Sequence, residues 1–449
     1  MIIDMEKTFL RRPRQDLLYD VIVCGGGPAG IGAALAAAIC GARTLILEAR
    51  SQFGGTATAG MWMCFNWIFK DNQDGSRGGV HQILVDELAK YGSLAARPGR
   101  RNDQVLNNGG NLDIHPEYLK KVLFDLFEHY EIDYSLYAQA IDVLKDEDTV
   151  RGVVVIAKEG AVTYQGRVII DATGDGDVAY YAGCEMEDTN PETGWRAPHT
   201  LLFALCNLDV ERVMSTVYES GFRVEDQDFA SLRDAMLHGI TQGYQIPGGV
   251  SIDQSTIPGV LNFNYSTTAG QFFDGTSSYD LTCVENLGIL QATEFIRFVK
   301  DFKIPGFENA ALMRTGGFAA VRETRRLVGE YVFTDKDLIE GATFPDAIAC
   351  KFGGRDPMGT TRPNVNISQG TQYPYRSLLP KKVEGLLVAG RCGSATLLGH
   401  YGGKSMGNMM AFGQAAGIAA ALCVKLGKQP RKLDYKLIQA KLAEMNVVY

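Results

Sequence analysis

The sequence predicts an α/β protein built on a central parallel sheet, into which an α+β unit is inserted. Near the N-terminus, two apolar strands flank a glycine turn and a helix. Two later strands, at 167–170 and 385–389, also lead into glycine-containing turns. Strands that alternate with helices in this way are typical of parallel sheets, whereas the long stretch at 186–374 carries the helices and strands expected of an insertion.

The first element is a buried strand that ends in a glycine turn. Residues 19–24 form a short β-branched run typical of a parallel strand, and the turn GGGPAG follows directly. In that turn, Gly25 permits the tight bend and Gly27 lets the backbone approach a pyrophosphate. Gly30 lets the following helix pack closely on the strand. The pattern therefore predicts a dinucleotide site.

The next two elements complete this unit. Residues 31–42 are almost all Ala, Gly and Ile, as expected of a buried helix whose N-terminus faces phosphates. A second strand at 43–47 ends in Glu48, whose carboxylate suits ribose hydroxyls. The same charge would repel the 2′-phosphate of NADP.

Three later glycine-containing segments favour FAD over NAD. A second glycine-rich loop, at 49–60, follows Glu48 directly and is suited to wrap a pyrophosphate. The segment DATGDGD at 171–177 and the segment VAGR at 388–391 each follow an apolar strand. We expect Asp175 and Asp177 to cap a helix or turn.

The order of these segments along the chain resembles that of the FAD-dependent oxidoreductases with a glutathione-reductase-type FAD domain. The chain is most similar to a large bacterial group of FAD-dependent oxidoreductases. The motifs that carry the resemblance are GGGPAG, EARSQFGGTATAG, DATGDGDVAYYAG, PGFENA, RETRRLVGEYVFT, YPYRSLLP, GLLVAGRC and MMAFGQAAG. The resemblance implies a Rossmann-like FAD-binding domain with an inserted substrate domain, but it names no substrate because the group is functionally broad.

The resemblance also implies which residues hold FAD. Residues of the first turn and the second strand would bind the ADP half, and later residues the pyrophosphate, the ribityl chain and the flavin. The assigned positions are Gly25, Gly27, Pro28, Ala29, Gly30, Glu48, Ala49, Arg50, Gly55, Thr56, Ala57, Ala140, Thr173, Gly174, Gly390, Arg391, Met406, Gly407, Asn408 and Met409. The last four would place a helix N-terminus against the flavin pyrimidine ring, where reduced flavin is negative.

Catalysis is predicted in the glycine-rich loop at 399–405. His400 is the candidate general base, Tyr401 a donor to the substrate oxygen, and Lys404 a cation for reduced flavin or a substrate carboxylate. The same region departs from the group's pattern, since Leu397-Leu398 stands where relatives often have His-Glu. His199 is a weaker candidate. For Arg322, Arg325 and Arg326 we expect ion pairs with Glu323 and Glu330.

Composition limits the partners. The net charge of −8 and the pI near 5.4 argue against a nucleic-acid-binding surface, which needs a basic stripe. The apolar stretch 409–424 is expected to be a buried helix rather than a membrane span. The nine cysteines contain no CxxC pair, and no metal-ligand spacing appears, so we expect a cytoplasmic protein with reduced thiols and no metal. Homo-oligomer formation is left open.

The predicted FAD domain is discontinuous, over residues 15–60, 112–185 and 375–430. Residues 61–111 and 186–374 would form the substrate domain, and 431–449 a C-terminal tail helix.

Three functions follow from these features. The first is a dehydrogenase or oxidase that moves a hydride between a small organic substrate and flavin N5. The second is a flavin monooxygenase or halogenase that uses transient NAD(P)H. The third is a biosynthetic protein that holds the dinucleotide without redox turnover. No second strand–GxGxxG–helix unit is present, so oxygen, a carrier protein or NAD(P) must serve as the electron acceptor.

Overall fold

The computed structural model of the chain describes residues 11–69, 77–98, 110–188, 196–217, 221–265, 267–268, 273–352, 370–401 and 404–449. Its strands are β1 (Leu18–Cys24), β2 (Thr44–Leu47), β3 (Cys64–Phe65), β4 (Ala96–Pro98), β5 (Leu112–Ile114), β6 (Asp133–Ser135), β7 (Gln139–Asp146), β8 (Thr149–Ala157), β9 (Gly160–Asp171), β10 (Met186–Glu187), β11 (Phe203–Cys206), β12 (Phe222–Val224), β13 (Gln227–Phe229), β14 (Ser251–Gln254), β15 (Leu261–Asn264), β16 (Ala311–Thr315), β17 (Arg326–Leu327), β18 (Ala347–Lys351), β19 (Thr371–Pro374) and β20 (Leu386–Val388). Its helices are α1 (Pro28–Ile39), α2 (Gly79–Ala89), α3 (Pro116–His129), α4 (Asp177–Tyr181), α5 (Val210–Ser215), α6 (Leu232–Thr241), α7 (Ser278–Asp301), α8 (Asp335–Glu340), α9 (Leu397–Tyr401), α10 (Met406–Leu426) and α11 (Tyr435–Glu444).

The central sheet is parallel where the site forms. Strands β6, β2, β1, β9 and β20 run parallel, and β8 and β7 continue the sheet as an antiparallel meander from β9. In the register, Cys24 lies opposite both Leu47 and Asp171, and Val388 also lies opposite Asp171. The carboxyl ends of four strands therefore meet at one edge, which is where α/β sheets bind ligands. The predicted fold class is confirmed.

Two small-residue helices cover this sheet in close contact. Helix α10 is buried along most of its length and packs against α1. A Cβ atom on Gly413 would lie 1.8 Å from the carbonyl oxygen of Ala29, and one on Gly417 would lie 2.2 Å from that of Ala33. The helix is apolar and long enough to cross a membrane, but 78% of its most apolar window is buried inside the protein. The prediction of a buried helix at this position is confirmed.

The inserted unit has its own sheet and its own core. Strands β14, β15, β11 and β16 form an antiparallel sheet in that order. Phe203 and Phe263 stack on one face of it, against Phe295 of α7. On the opposite face, the Asn262 side-chain amide donates to the carbonyl oxygen of Met61, at 2.7 Å. This bond ties the inserted sheet to the chain segment that follows the second glycine loop.

The flanking segments complete the main core. Leu84 of α2 and Ile438 of α11 are fully buried in the same cluster as α1 and α10. Helices α2 and α11 therefore pack in the same core as α1 and α10.

Candidate functional site

The first turn has the tight geometry that the sequence predicts. Gly25 adopts a φ of 102°, and its amide donates to the carbonyl oxygen of Leu47 at 2.7 Å. A Cβ atom there would lie 2.4 Å from the carbonyl oxygen of Ala172, so only glycine fits. A Cβ on Gly30 would lie 1.7 Å from the Gly25 carbonyl oxygen, which explains the close approach of α1 to β1.

Open space lies over the N-terminus of α1. Gly27 caps the helix without a side-chain hydrogen bond, and Pro28 occupies its first turn. A Cβ on Gly27 would meet no atom within 4 Å. The first N–H groups and the positive end of the helix dipole therefore face a space that suits a phosphate.

Glu48 is held in place by two backbone amides. Its carboxylate accepts from the N–H of Gly26 at 2.7 Å and from the N–H of Arg50 at 2.8 Å, one bond to each oxygen. The side chain is 7% exposed, and it lines the cavity described next. Each oxygen keeps a second lone pair, which can accept from a ribose hydroxyl.

A cavity of about 860 Å³ lies at the carboxyl edge of the parallel sheet. Most of the predicted cofactor residues line it: Gly25, Gly27, Pro28, Ala29, Glu48, Ala49, Arg50, Gly55, Thr56, Ala140, Thr173, Gly174, Gly390, Arg391, Met406 and Met409. Four others lie outside its wall, namely Gly30, Ala57, Gly407 and Asn408. The helix N-terminus, the ribose carboxylate and the glycine cradle together fit the ADP half of FAD.

Two of the residues outside the wall are occupied by structural contacts. The amide of Gly407 donates to the carbonyl oxygen of Asn66 at 2.9 Å. The Asn408 side chain bonds both backbone groups of Phe352, and it accepts from Arg77 at 2.7 Å. These two residues therefore fix the start of α10, while Met406 and Met409 face the cavity.

An ion pair and a hydroxyl position Arg391 in the wall. Its guanidinium donates to Asp175 at 2.6 Å and to the hydroxyl of Thr324 at 3.0 Å. Burial alone would raise the pKa of Asp175, but Arg391 and the Thr324 hydroxyl outweigh it and hold that pKa below its ordinary value. Asp175 is thus an ionised partner of Arg391, and the prediction that it caps a helix is wrong.

The other predicted ion pairs are only partly correct. Asp177 accepts from Arg325 at 2.5 Å instead of capping α4, whose N-cap is Gly176 without a side-chain bond. Arg326 is fully buried and pairs with Glu323, as predicted. Glu330 pairs instead with Arg431, so its predicted partners were wrong.

The structure separates the three catalytic candidates. Lys404 lines the cavity. His400 is buried outside the lining, and its backbone amide donates to Thr396 within α9. Burial, reinforced by the charges of Lys404 and Lys351, lowers the pKa of His400 well below its ordinary value, so its ring is neutral at pH 7. The side chain of Tyr401 lies outside the described part of the structure.

Two buried cations near this loop were not predicted. The Lys351 ammonium lies 4.3 Å from the ring centroid of Phe333 and donates to the carbonyl oxygen of Gly399 at 3.2 Å. Burial lowers the pKa of Lys351 to about 7. Arg77 is fully buried and also donates to the carbonyl oxygen of Cys350, beside its bond to Asn408. Lys351 follows a short apolar run in the sequence, whereas Arg77 lies among polar residues and glycines and gives no such signal.

A buried histidine also supports the start of α10. The Nε2 atom of His81 lies 2.8 Å from the carbonyl oxygen of Gly407. Burial, with the charge of Arg77, lowers the pKa of His81 to about 3, so the neutral ring donates this bond. The helix that reaches the cavity is therefore held in place by side chains of α2 and the segment before it.

The chain belongs to the family of FAD dependent oxidoreductases, whose model matches residues 20–442. It is therefore a flavin-dependent enzyme with FAD as its cofactor. Over 40 residues it is 58% identical to a soluble pyridine nucleotide transhydrogenase of Marinomonas sp., a match that covers 9% of each chain. Over 113 residues it is 34% identical to a 3-oxosteroid 1-dehydrogenase of Mycolicibacterium smegmatis, covering 23% of this chain and 17% of that protein.

Among solved structures, the chain is similar to a geranylgeranyl bacteriochlorophyll reductase-like protein from Thermoplasma acidophilum. The TM-score is 0.49 at 16% sequence identity, and the match covers 96% of this chain and 84% of that one. The matches to the two curated relatives each span less than a fifth of the relative's length.

Proposed function

We propose that this enzyme moves a hydride between a small organic substrate and the N5 atom of FAD, as a dehydrogenase or an oxidase. The observation that carries the proposal is a group of three residues in the cavity wall. Lys404, Met406 and Met409 line the cavity and lie at or just before the start of α10. When bound, FAD accepts or returns the hydride.

The inserted unit also contributes to the cavity wall, since Leu281, Phe318 and Val321 line it. Met61 is fully buried among Leu202, Ala204 and Val260, which belong to or adjoin the inserted sheet. The loop that follows the second glycine turn is thus covered by apolar side chains of the insertion. Such a cover would exclude water from the flavin and leave a side channel for a small molecule.

Lys404 and the N-terminus of α10 would stabilise negative charge at the pyrimidine end of FAD. A cation and a helix dipole placed where charge develops stabilise the reduced state. The proton that leaves a substrate hydroxyl or amine as the hydride departs would pass to a base on the substrate side or to water. The neutral, buried His400 lies behind the cavity wall, and we therefore assign it a positioning role.

The test is an anaerobic titration of the FAD-loaded chain. Alcohols, hydroxy acids, amines, sugars and NAD(P)H are added separately while the visible flavin absorbance is followed. We expect an organic donor to bleach the flavin without nicotinamide, and air then distinguishes an oxidase from a dehydrogenase. Rapid bleaching by NAD(P)H alone, with none by any organic donor, would overturn the proposal in favour of a monooxygenase.

Two lysine variants test whether Lys404 contributes to the reaction. Lys404→Met should slow donor-driven bleaching about a hundredfold, because it removes one charged stabiliser from the site. Lys428→Met removes an exposed lysine beyond α10 and should leave the rate unchanged. Equal rates in both variants would remove Lys404 from the mechanism.

A further inference from the structure

Three arginines of one segment differ in what they bind. Arg325 and Arg326 each reach a carboxylate within the fold. Within the described ranges, Arg322 has no carboxylate within 4.0 Å. Its Nη2 atom makes only long contacts, 3.4 Å to the Thr200 hydroxyl and 3.3 Å to the side-chain oxygen of Asn264. Its Nε atom is buried without a hydrogen-bond partner in that same part of the chain.

A buried histidine beside this arginine is similarly unsatisfied. His199 is 1% exposed, and its backbone amide donates to the Thr268 hydroxyl at 2.9 Å. Neither ring nitrogen makes a well-aligned hydrogen bond among the residues that the structure describes, although the Phe273 backbone lies close enough to the ring to raise its pKa. Burial, followed by the charge of Arg391, lowers the pKa of His199 to about 4; the Phe273 backbone opposes this shift, and the charge of Arg322 adds a smaller lowering. The ring is therefore neutral at pH 7, with one N–H to donate.

Neither side chain lines the FAD cavity itself, but each residue lies next to one that does. Val321, which precedes the arginine, lines the cavity, and so does Gly275. A Cβ on Gly275 would lie 2.6 Å from Val321 Cγ1 and 3.4 Å from His199 Cε1. The imidazole and the arginine segment thus meet at the side of the cavity that the inserted unit forms.

We propose that Arg322 and His199 bind a carboxylate group of the substrate, which makes the substrate an organic acid. A guanidinium with unused donors matches the two oxygens of a carboxylate. A neutral imidazole N–H adds a third donor, and the positive charge of Arg322, which no carboxylate in the described ranges neutralises, favours an anion beside it. That the bound carboxylate belongs to a substrate rests on the proposed hydride transfer, whereas the binding of a carboxylate at this site is independent of it.

The experiment measures binding to the FAD-loaded chain without turnover. Acetate, lactate, succinate and benzoate are titrated at constant ionic strength, with acetamide and lactamide as neutral controls. The readouts are isothermal calorimetry and the visible difference spectrum of the bound flavin. We expect at least one carboxylate to bind the unmodified chain more tightly than its amide.

Variants then locate the site. Arg322→Gln should weaken carboxylate binding by about 10- to 100-fold, and Arg322→Lys by less, since it keeps the charge but loses the fork. His199→Phe should weaken it about tenfold through loss of the N–H donor. Arg212→Gln is the matched control, because it removes an exposed arginine paired with Glu308 in the same unit.

The outcomes separate the two proposals. Carboxylates that bind no better than amides, or an Arg322→Lys variant that binds them like the unmodified chain, would overturn the subsite. Loss of FAD affinity rather than carboxylate affinity in Arg322→Gln would also overturn it. If carboxylates bind but no donor bleaches the flavin, the subsite stands and hydride transfer fails. If only neutral donors bleach the flavin, hydride transfer stands and the carboxylate subsite fails.

Discussion

Replacing Gly27 by alanine separates cofactor binding from folding. The backbone of Gly27 has a φ of −75° and a ψ of −175°, which any residue adopts, and an added Cβ would meet no protein atom within 4 Å. The apo chain should therefore accept the methyl group. It should gain about 0.4–1 kcal/mol in unfolding free energy, because alanine restricts the unfolded chain.

The same methyl group should weaken FAD binding. It would occupy the space in which a pyrophosphate approaches the N-terminus of α1. The loss of one charge-assisted phosphate–amide bond costs about 1.5–3 kcal/mol, or about 10- to 100-fold in Kd. FAD affinity is measured by titrating apoprotein with FAD and following the quenching of flavin fluorescence, and apo stability by urea unfolding.

Two other glycines provide the comparison. Gly30→Ala puts its Cβ 1.7 Å from the Gly25 carbonyl oxygen and should lose both stability and FAD affinity. Gly249→Ala makes ordinary contacts with Arg233, away from the cavity lining, so it should leave FAD affinity unchanged and give the same small gain in stability as Gly27→Ala. If Gly27→Ala kept its FAD affinity within about twofold, or lost apo stability, the assignment of this space to the pyrophosphate would be refuted.

Three further predictions use the same assays. Glu48→Gln should weaken FAD binding about tenfold, since an amide NH₂ cannot accept from a ribose hydroxyl or a backbone N–H; unchanged affinity would exclude the ribose role. The free energy of unfolding should fall by up to about 5 kcal/mol as the pH falls from 6.5 towards 3, because the pKa of His81 is lower in the folded chain than in the unfolded chain. His81→Gln should flatten urea-derived stability in that window, and an unchanged slope would contradict this. Gly413→Ala should cost about 1–3 kcal/mol of unfolding free energy by pushing α1 from α10, whereas unchanged stability would contradict that contact.

The dinucleotide unit could be predicted because its signals are local. The turn that begins at Gly25 and the carboxylate of Glu48 lie within about one βαβ unit, and glycine positions follow directly from backbone sterics. The strands predicted at 19–24 and 43–47 were found as β1 and β2 for the same reason, since their apolar runs identify them without tertiary contacts.

The partners of charged residues could not be predicted in this way. Asp175 precedes a helix and suggests a cap, but its partner Arg391 is 216 residues away in the chain. Glu330 lies beside three arginines in the sequence, yet it pairs with Arg431, which is 101 residues away. Side-chain propensities describe the local choice, whereas the fold brings a stronger distant charge into reach.

The burial of individual polar side chains was the second property that the sequence could not predict. The glycines around His400 suggested an accessible loop, but the side chain is 2% exposed and lies outside the cavity lining. Lys351 follows a short apolar run, and nothing in that run indicates that three aromatic rings surround its ammonium group. Both properties depend on packing between segments far apart in the chain.

The most direct test of the central claim is the electron density of FAD in crystals of the cofactor-loaded chain. We expect the adenine beside Ala140, the pyrophosphate over Gly27 and the flavin ring at Met406 and Met409, with Lys404 near its pyrimidine edge. Density that placed the flavin ring at the Ala140 end, or outside this cavity, would contradict the account.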